Sequence, residues 1–192
     1  MIERLRFLAI ALLLGTFGAA SCGAQQETPA DAAAAPAKGY QFTDVHRVDY
    51  TPVKSQDRTG TCWCFATGSF LESEAMRMGK GIHNLSEIFV VRNTYVDKVR
   101  NYILRQGKTN FGEGAMAHDL FAAVSQHGIV PDEIYSGLVN GATSHDHGEL
   151  EAVLLGLAET FAKRRAPSGN WDELTNAILD VYVGKAPQEF SY

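Results

Sequence analysis

Thr51-Pro52-Val53-Lys54-Ser55-Gln56-Asp57-Arg58-Thr59-Gly60-Thr61-Cys62-Trp63-Cys64-Phe65 sets a cysteine directly behind a glycine turn. Pro52 bars a helix from running through the start of this stretch. After the Gly60-Thr61 turn, Phe65, Ser69, Leu71 or Glu72, and Met76 recur at helical spacing until Gly79 and Gly81. The pattern predicts a helix over 62–78 that opens on Cys62, with one small, apolar face suited to a central position. A cysteine in a first helical turn lies against unpaired backbone N–H groups and the positive end of the dipole, which favour an anionic sulfur. Such a sulfur is a nucleophile. Gln56, six residues earlier, can aim amide N–H groups at the oxyanion formed when Cys62 attacks a carbonyl. Gly60 lets the backbone approach a substrate closely. Cys64 reads as an inert helix cysteine, the alternative being a resolving thiol for an oxidised Cys62.

Downstream, Leu85, Ile88, Phe89, Val96, Val99 and Ile103 predict a second helix, with Ser86 as N-cap and Gly107 as stop. A third runs from about Ala115 to Gln126, with Met116, Leu120, Ala123 and Val124 on one side and Gly128 past its end. Residues 146–165 place Leu150, Val153, Leu154, Leu157 and Phe161 on one stripe. Trp171, Leu174, Ile178 and Val181 repeat the design after a capping-box-like Asn170 and Glu173. These two helices form a hairpin over 146–184. His145-Asp146-His147 reads as a helix start capped by Asp146 or Ser144, in preference to a metal site. His118 reads as a groove or core residue, in preference to a base.

Upstream, Arg4 and Arg6 precede the apolar run Phe7 to Leu14 and the small residues Gly15, Gly18, Ala19, Ala20 and Ser21, the pattern of a secretory signal peptide over 1–24. The run is too short for a membrane span, which needs about 20 apolar residues. Ala19-Ala20-Ser21-Cys22 resembles a bacterial lipoprotein processing box, with the signal ending at residue 21 and Cys22 lipidated. Cleavage after Ala24 is the alternative. Both lead to export, into the periplasm or onto the cell envelope, with membrane attachment through Cys22 in the lipidated case. Residues 25–38 (QQETPADAAAAPAK) have nothing aromatic to pack and read as a flexible linker. Gly39 to Lys54 reads as an extended, partly buried lead into the domain.

The chain has 192 residues, 45% of them hydrophobic and 20% charged, which suits one compact domain and excludes collagen, coiled coil and disordered polymer. A formal net charge of -5 gives no basic footprint for nucleic acid. Three cysteines, two of them only two residues apart, make no disulfide framework.

The 51–65 stretch, with Gln56, five intervening residues, then Cys62, Trp63 and Phe65, resembles the active-site loop of papain-like cysteine peptidases. Leu85-Ser86-Glu87 resembles that family's Leu-Ser-Glu element. Gly112-Glu113-Gly114 lies where the family has a glycine pair that hydrogen-bonds the substrate backbone, which implies substrate binding at Gly112 and Gly114. Gly128-Ile129-Val130-Pro131 with Tyr135 resembles the bleomycin hydrolase and aminopeptidase C branch. Thr59 stands where secreted papains carry a disulfide cysteine, in keeping with that branch. The resemblance implies an α+β papain-like fold, of which this chain is mainly the helical N-terminal half with a helical-hairpin insertion, spanning 39–192.

The implied function is cysteine-type peptidase, most consistent with aminopeptidase, hydrolysing peptides through a thioester on Cys62. It needs no cofactor and no metal, and the branch tends toward homo-oligomers in the complete protein. A papain-like mechanism also needs a His and an Asn, about 130 to 150 residues past the Cys. Only 130 residues follow Cys62, and His83, His118 and His127 fall in the helical part. The expectation is therefore an N-terminal half whose β-rich complement lies beyond Tyr192, inactive in isolation. The competing expectation is a catalytically silent binding or structural domain on the same scaffold. A Cys62-Trp63-Cys64 redox pair would close a strained ring and is disfavoured.

Overall fold

The computed structural model describes residues 39–40 and 42–189. The expected signal peptide (1–24), linker (25–38) and lipidated Cys22 lie outside the described residues. A compact unit begins at Asp44 and contains five helices among the described residues: α1 Cys62–Arg77, α2 Glu87–Leu104, α3 Ala117–His127, α4 Gly148–Ala162 and α5 Trp171–Val183. The only β pairing among these residues is two isolated bridges, Arg58 with Asp146 in parallel and Leu85 with Pro131 in antiparallel sense. The regular structure among the described residues is thus helical, as the periodicities require. None of these helices is long and apolar enough to cross a membrane.

The local stop and start signals work where the sequence puts them. Ser86 caps α2 by accepting from the Phe89 amide at 3.1 Å, and its hydroxyl donates to the Tyr135 carbonyl. Gln106 and Gly107 take φ of 56° and 75° just past α2, and the Gly107 amide closes on the Tyr102 carbonyl at 2.9 Å. Gly128 ends α3 with φ 76°. Asn170 does begin α5, but its side chain makes no cap hydrogen bond, so the expected capping box is absent.

Three expectations need correction. The helix at the centre is α2, which packs on all four others, whereas α1 packs on α2 and α3. The reason is that α2 buries residues all round, including Ile88, Val90, Val91, Arg92, Thr94, Tyr95 and Val99, so its apolar periodicity understates its burial. On α5 the buried face is Thr175, Leu179 and Val183, while Leu174 and Val181 are 44% and 65% exposed. The helix is turned so that Thr175, whose hydroxyl bonds the Trp171 carbonyl at 2.6 Å, can enter the core without an unmet polar atom. Finally, Val45, Val48 and Tyr50 are exposed, so the segment leading to Thr51 is extended but not partly buried.

The α4–α5 hairpin packs its Leu150, Leu154, Ala158, Leu179 and Val183 against the α2 side of the core, all at 2% exposure or less. Burying each leucine is worth about 2 kcal/mol. Arg92 of α2 is paired to Asp180 of α5 at 2.6 Å across this seam. Gly137, at φ 73°, lets its loop sit on Ile88, because a Cβ there would lie 2.2 Å from Ile88 Cγ2.

Candidate active site

The loop that delivers Cys62 is held from below by charge. Lys54 Nζ is ion-paired with Glu87 and, at 3.3 Å, with Glu72, and it also donates to the Asn84 side chain at 3.1 Å and the Leu85 carbonyl at 2.9 Å. Glu72 is fully buried, takes the Leu85 amide at 2.8 Å and accepts from the Thr51 hydroxyl. Burial raises Glu87 above the usual carboxylate range, and the Lys54 ammonium opposes that rise. Leu85-Ser86-Glu87 is therefore the platform to which the 51–61 loop is tied, and one half-buried cation between two buried carboxylates ties it.

A second strap crosses at Arg58. Its amide donates to the His145 carbonyl at 3.1 Å, its carbonyl accepts from the His147 amide at 3.3 Å, and its guanidinium pairs with Asp146 at 3.3 Å. Asp57 accepts the His145 amide at 3.0 Å, a bond that holds its carboxyl below the ordinary range. Asp146 also accepts from the Gly148 amide at 3.1 Å, so it serves the start of α4 in the way expected, although the residue at the cap position is His147. His147 itself is buried, its ring 5.9 Å from that of Tyr95. Burial, with His145 beside it, lowers it to about 4, and it is a neutral core residue at pH 7.

Thr61 precedes α1, and Cys62 is its first residue with an exposed side chain. Cys64, two residues on, is fully buried and donates to the Glu87 carbonyl at 3.4 Å. Burial and the Glu87 carboxylate push its thiol far up, so it is sealed and un-ionised. The two thiols of one sequence motif thus have opposite surroundings. Gln56 donates its amide N–H to the Thr59 carbonyl, and the Thr59 hydroxyl returns a bond to the Gln56 carbonyl at 2.7 Å. One Nε2 hydrogen is occupied inside the loop, which fixes the amide and leaves the other for an outside acceptor.

Gly112-Glu113-Gly114 lies against this loop. The Gly60 amide donates to the Glu113 carboxylate, and the Trp63 indole Nε1 donates to the Glu113 carbonyl at 3.1 Å. Lys98 of α2 gathers the carbonyls of Gly112, Glu113 and Gly114 at 2.6, 3.2 and 2.7 Å. Gly114 is exposed with open space where a Cβ would go. The structure therefore brings the two expected substrate-binding glycines beside the loop of Cys62. It also corrects the role of Gly60: a Cβ there would lie 2.9 Å from Glu113 Cβ, so its bareness serves the approach of Glu113. Sequence reasoning passed over Glu113 and Lys98. The only available signal was a charged residue set between two glycines.

His83 Nε2 bonds the Lys80 carbonyl at 2.9 Å, and His118 lies 3.6 Å from Asp119. His118 is 79% exposed, which corrects its reading as a groove or core residue. Among the described residues no group of His, Cys, Asp and Glu is arranged to hold a metal ion. A groove of about 720 Å³ is lined by Arg47, Asp49, Tyr50, Met76, Gly79, Gly81 and Ile82, none of them a thiol or a histidine. Cys62 is the exposed free thiol among the described residues. No protein-family model matches the chain, and no curated protein matches it.

Proposed function

We propose that this chain carries the nucleophile side of a thiol peptidase of the papain-like kind, in the bleomycin hydrolase and aminopeptidase C branch. The observation that supports it best is the joint placement of an exposed Cys62 at the start of α1 and the Gly112–Gly114 loop, locked together through Glu113. In this reading the glycine loop takes the backbone of a peptide and presents its carbonyl to Cys62. The sulfur adds to that carbonyl carbon while Gln56 Nε2 and the Cys62 amide donate to the oxygen. Collapse expels the amine, which leaves with a proton, and water then cleaves the thioester to release the acid and restore the thiol.

In the family resembled, a histidine protonates the leaving amine and an asparagine orients that histidine. Export or envelope anchoring through Cys22 and assembly into homo-oligomers belong to the same proposal. An activated peptide ester tests it, since an ester needs no protonated leaving group. Incubated with the chain, it leaves its acyl group on Cys62 as a hydroxylamine-labile mass increment that Cys62→Ser removes. A chain that takes no acyl group, yet binds the peptide, is the silent binding domain instead.

A further inference from the structure

The strap that fastens the Cys62 loop runs through two histidines. Arg58 lies four residues before Cys62; its amide donates to the His145 carbonyl and its carbonyl accepts from the His147 amide. Asp57 accepts the His145 amide at 3.0 Å while holding φ at 54°, an uncommon angle for a residue other than glycine. The same short run starts α4, where the Glu151 amide donates to the His147 carbonyl at 2.8 Å. One tripeptide thus anchors both the loop and the helical hairpin.

The surroundings of the His147 side chain have no place for a charge. It is 2% exposed, and neither ring nitrogen has a hydrogen-bond partner among the described residues. From α2, Tyr95 packs its ring 5.9 Å away, but its hydroxyl is equally unpartnered, so no bond joins the two. From α5, Tyr182 lines the same cavity of about 200 Å³, with its hydroxyl given to Glu149. On the strap itself, the His145 ring stands 5.9 Å off. The Asp146 carboxylate is already shared between the Arg58 guanidinium at 3.3 Å and the Gly148 amide at 3.1 Å, and that of Asp57 holds the His145 amide. A proton on the buried ring therefore adds a charge and a further unmet donor to the core. In water the same ring takes that proton readily.

We propose that His147 is an acid-sensitive latch, whose protonation releases the 145–147 strap from Asp57 and Arg58 and loosens the Cys62 loop while the helical core stays folded. The latch goes beyond the peptidase reading and does not depend on it. The loop keeps its ties from Lys54 to Glu87 and from Gly60 to Glu113, so the opening is local. Acid acts on the open form, where the ring is in water, and each pH unit below about 6.5 multiplies the opening constant by up to about ten.

Amide hydrogen exchange on the intact chain at pH 7 and pH 5 tests the latch, with each rate divided by that of the unstructured peptide at the same pH. The Arg58, His145 and His147 amides are expected to be less protected than the amide of Val99, which is fully buried on α2. Their protection falls about twentyfold from pH 7 to pH 5. His147→Phe removes that fall, as does His147→Met if the phenylalanine variant does not fold. Asp57→Asn and Asp146→Asn retain it, since neither carboxylate is the group that takes the proton. Strap protection that equals that of Val99, that is the same at both pH values, or that falls as steeply in the His147 variants, overturns the latch.

Discussion

The indole of Trp63 donates to the backbone carbonyl of Glu113 at 3.1 Å, joining the first turn of α1 to the glycine loop fifty residues away. Cys62 lies between this bond and the one from Gly60 to the Glu113 carboxylate. Cys62 is thus braced on both sides by one residue. Trp63→Phe removes the donor and part of a core side chain that is 8% exposed, while Lys98 still serves the orphaned carbonyl. The expected loss is about 1–2 kcal/mol by urea unfolding. A larger loss appears in the rate at which peptidyl probes modify Cys62 than in the rate for iodoacetamide.

Lys54 lies between Glu72 and Glu87, both nearly inaccessible. Lys54→Met leaves two buried carboxylates facing each other, and the expected destabilisation is roughly 3–5 kcal/mol. Lys54→Met combined with Glu87→Gln recovers part of it. Equal urea midpoints for the wild type and the single variant would contradict the role given to this ion cluster.

His147 gives stability a pH dependence of known sign. Its folded-state value is lowered from 6.5 to about 4 by burial and by His145, so below about 6.5 the unfolded chain binds the extra proton. The contribution is complete above pH 6.5 and is lost as pH falls toward 4, by up to about 1.4 kcal/mol per pH unit. His145 shifts in the same direction, while Glu87 and Glu151, raised on folding, act oppositely. The difference between wild type and His147→Phe isolates the effect: stability of the variant falls less steeply between pH 6.5 and 4. Parallel curves would sink the assignment.

Two glycines make a matched pair. Gly137→Ala forces a Cβ into Ile88 at a φ of 73°, and the expected loss is about 3 kcal/mol. Gly156 is inside α4 with nothing near its Cβ position, so Gly156→Ala raises stability by about 0.5–1 kcal/mol. Thermal unfolding of both variants checks the contrast.

What was readable in the sequence was local. Ser86, Gly107 and Gly128 act within one helical turn of where they stand, so their residue types suffice. The turn of α5 was not readable, because Leu174 and Val181 are as apolar as Leu179, and only the partner helix decides which face is buried. The apolar content of 45–50 suggested burial that Val45 and Tyr50 do not have. At the candidate site, Cys62, Gln56 and the two glycines were visible as motif residues. Glu113 and the strap from Arg58 to His145 and His147 were not, since each joins positions some fifty to ninety residues apart.

His83 bonds the Lys80 carbonyl, His118 projects from α3 beside Asp119, and His147 is buried. Purified residues 25–192 are therefore expected to accept an acyl group from an activated ester while hydrolysing ordinary peptide amides no faster than background. Steady amide hydrolysis abolished by Cys62→Ser would overturn this prediction and move the general acid into the chain itself.

The most direct test of the Cys62 cleft compares the L- and D-forms of one neutral peptidyl vinyl sulfone on the intact chain. The account predicts one equivalent of adduct, on Cys62 and not on the sealed Cys64, with the L-form at least about tenfold faster because the glycine loop must hydrogen-bond the peptide backbone. Equal rates for the two forms, or modification away from Cys62, would contradict it.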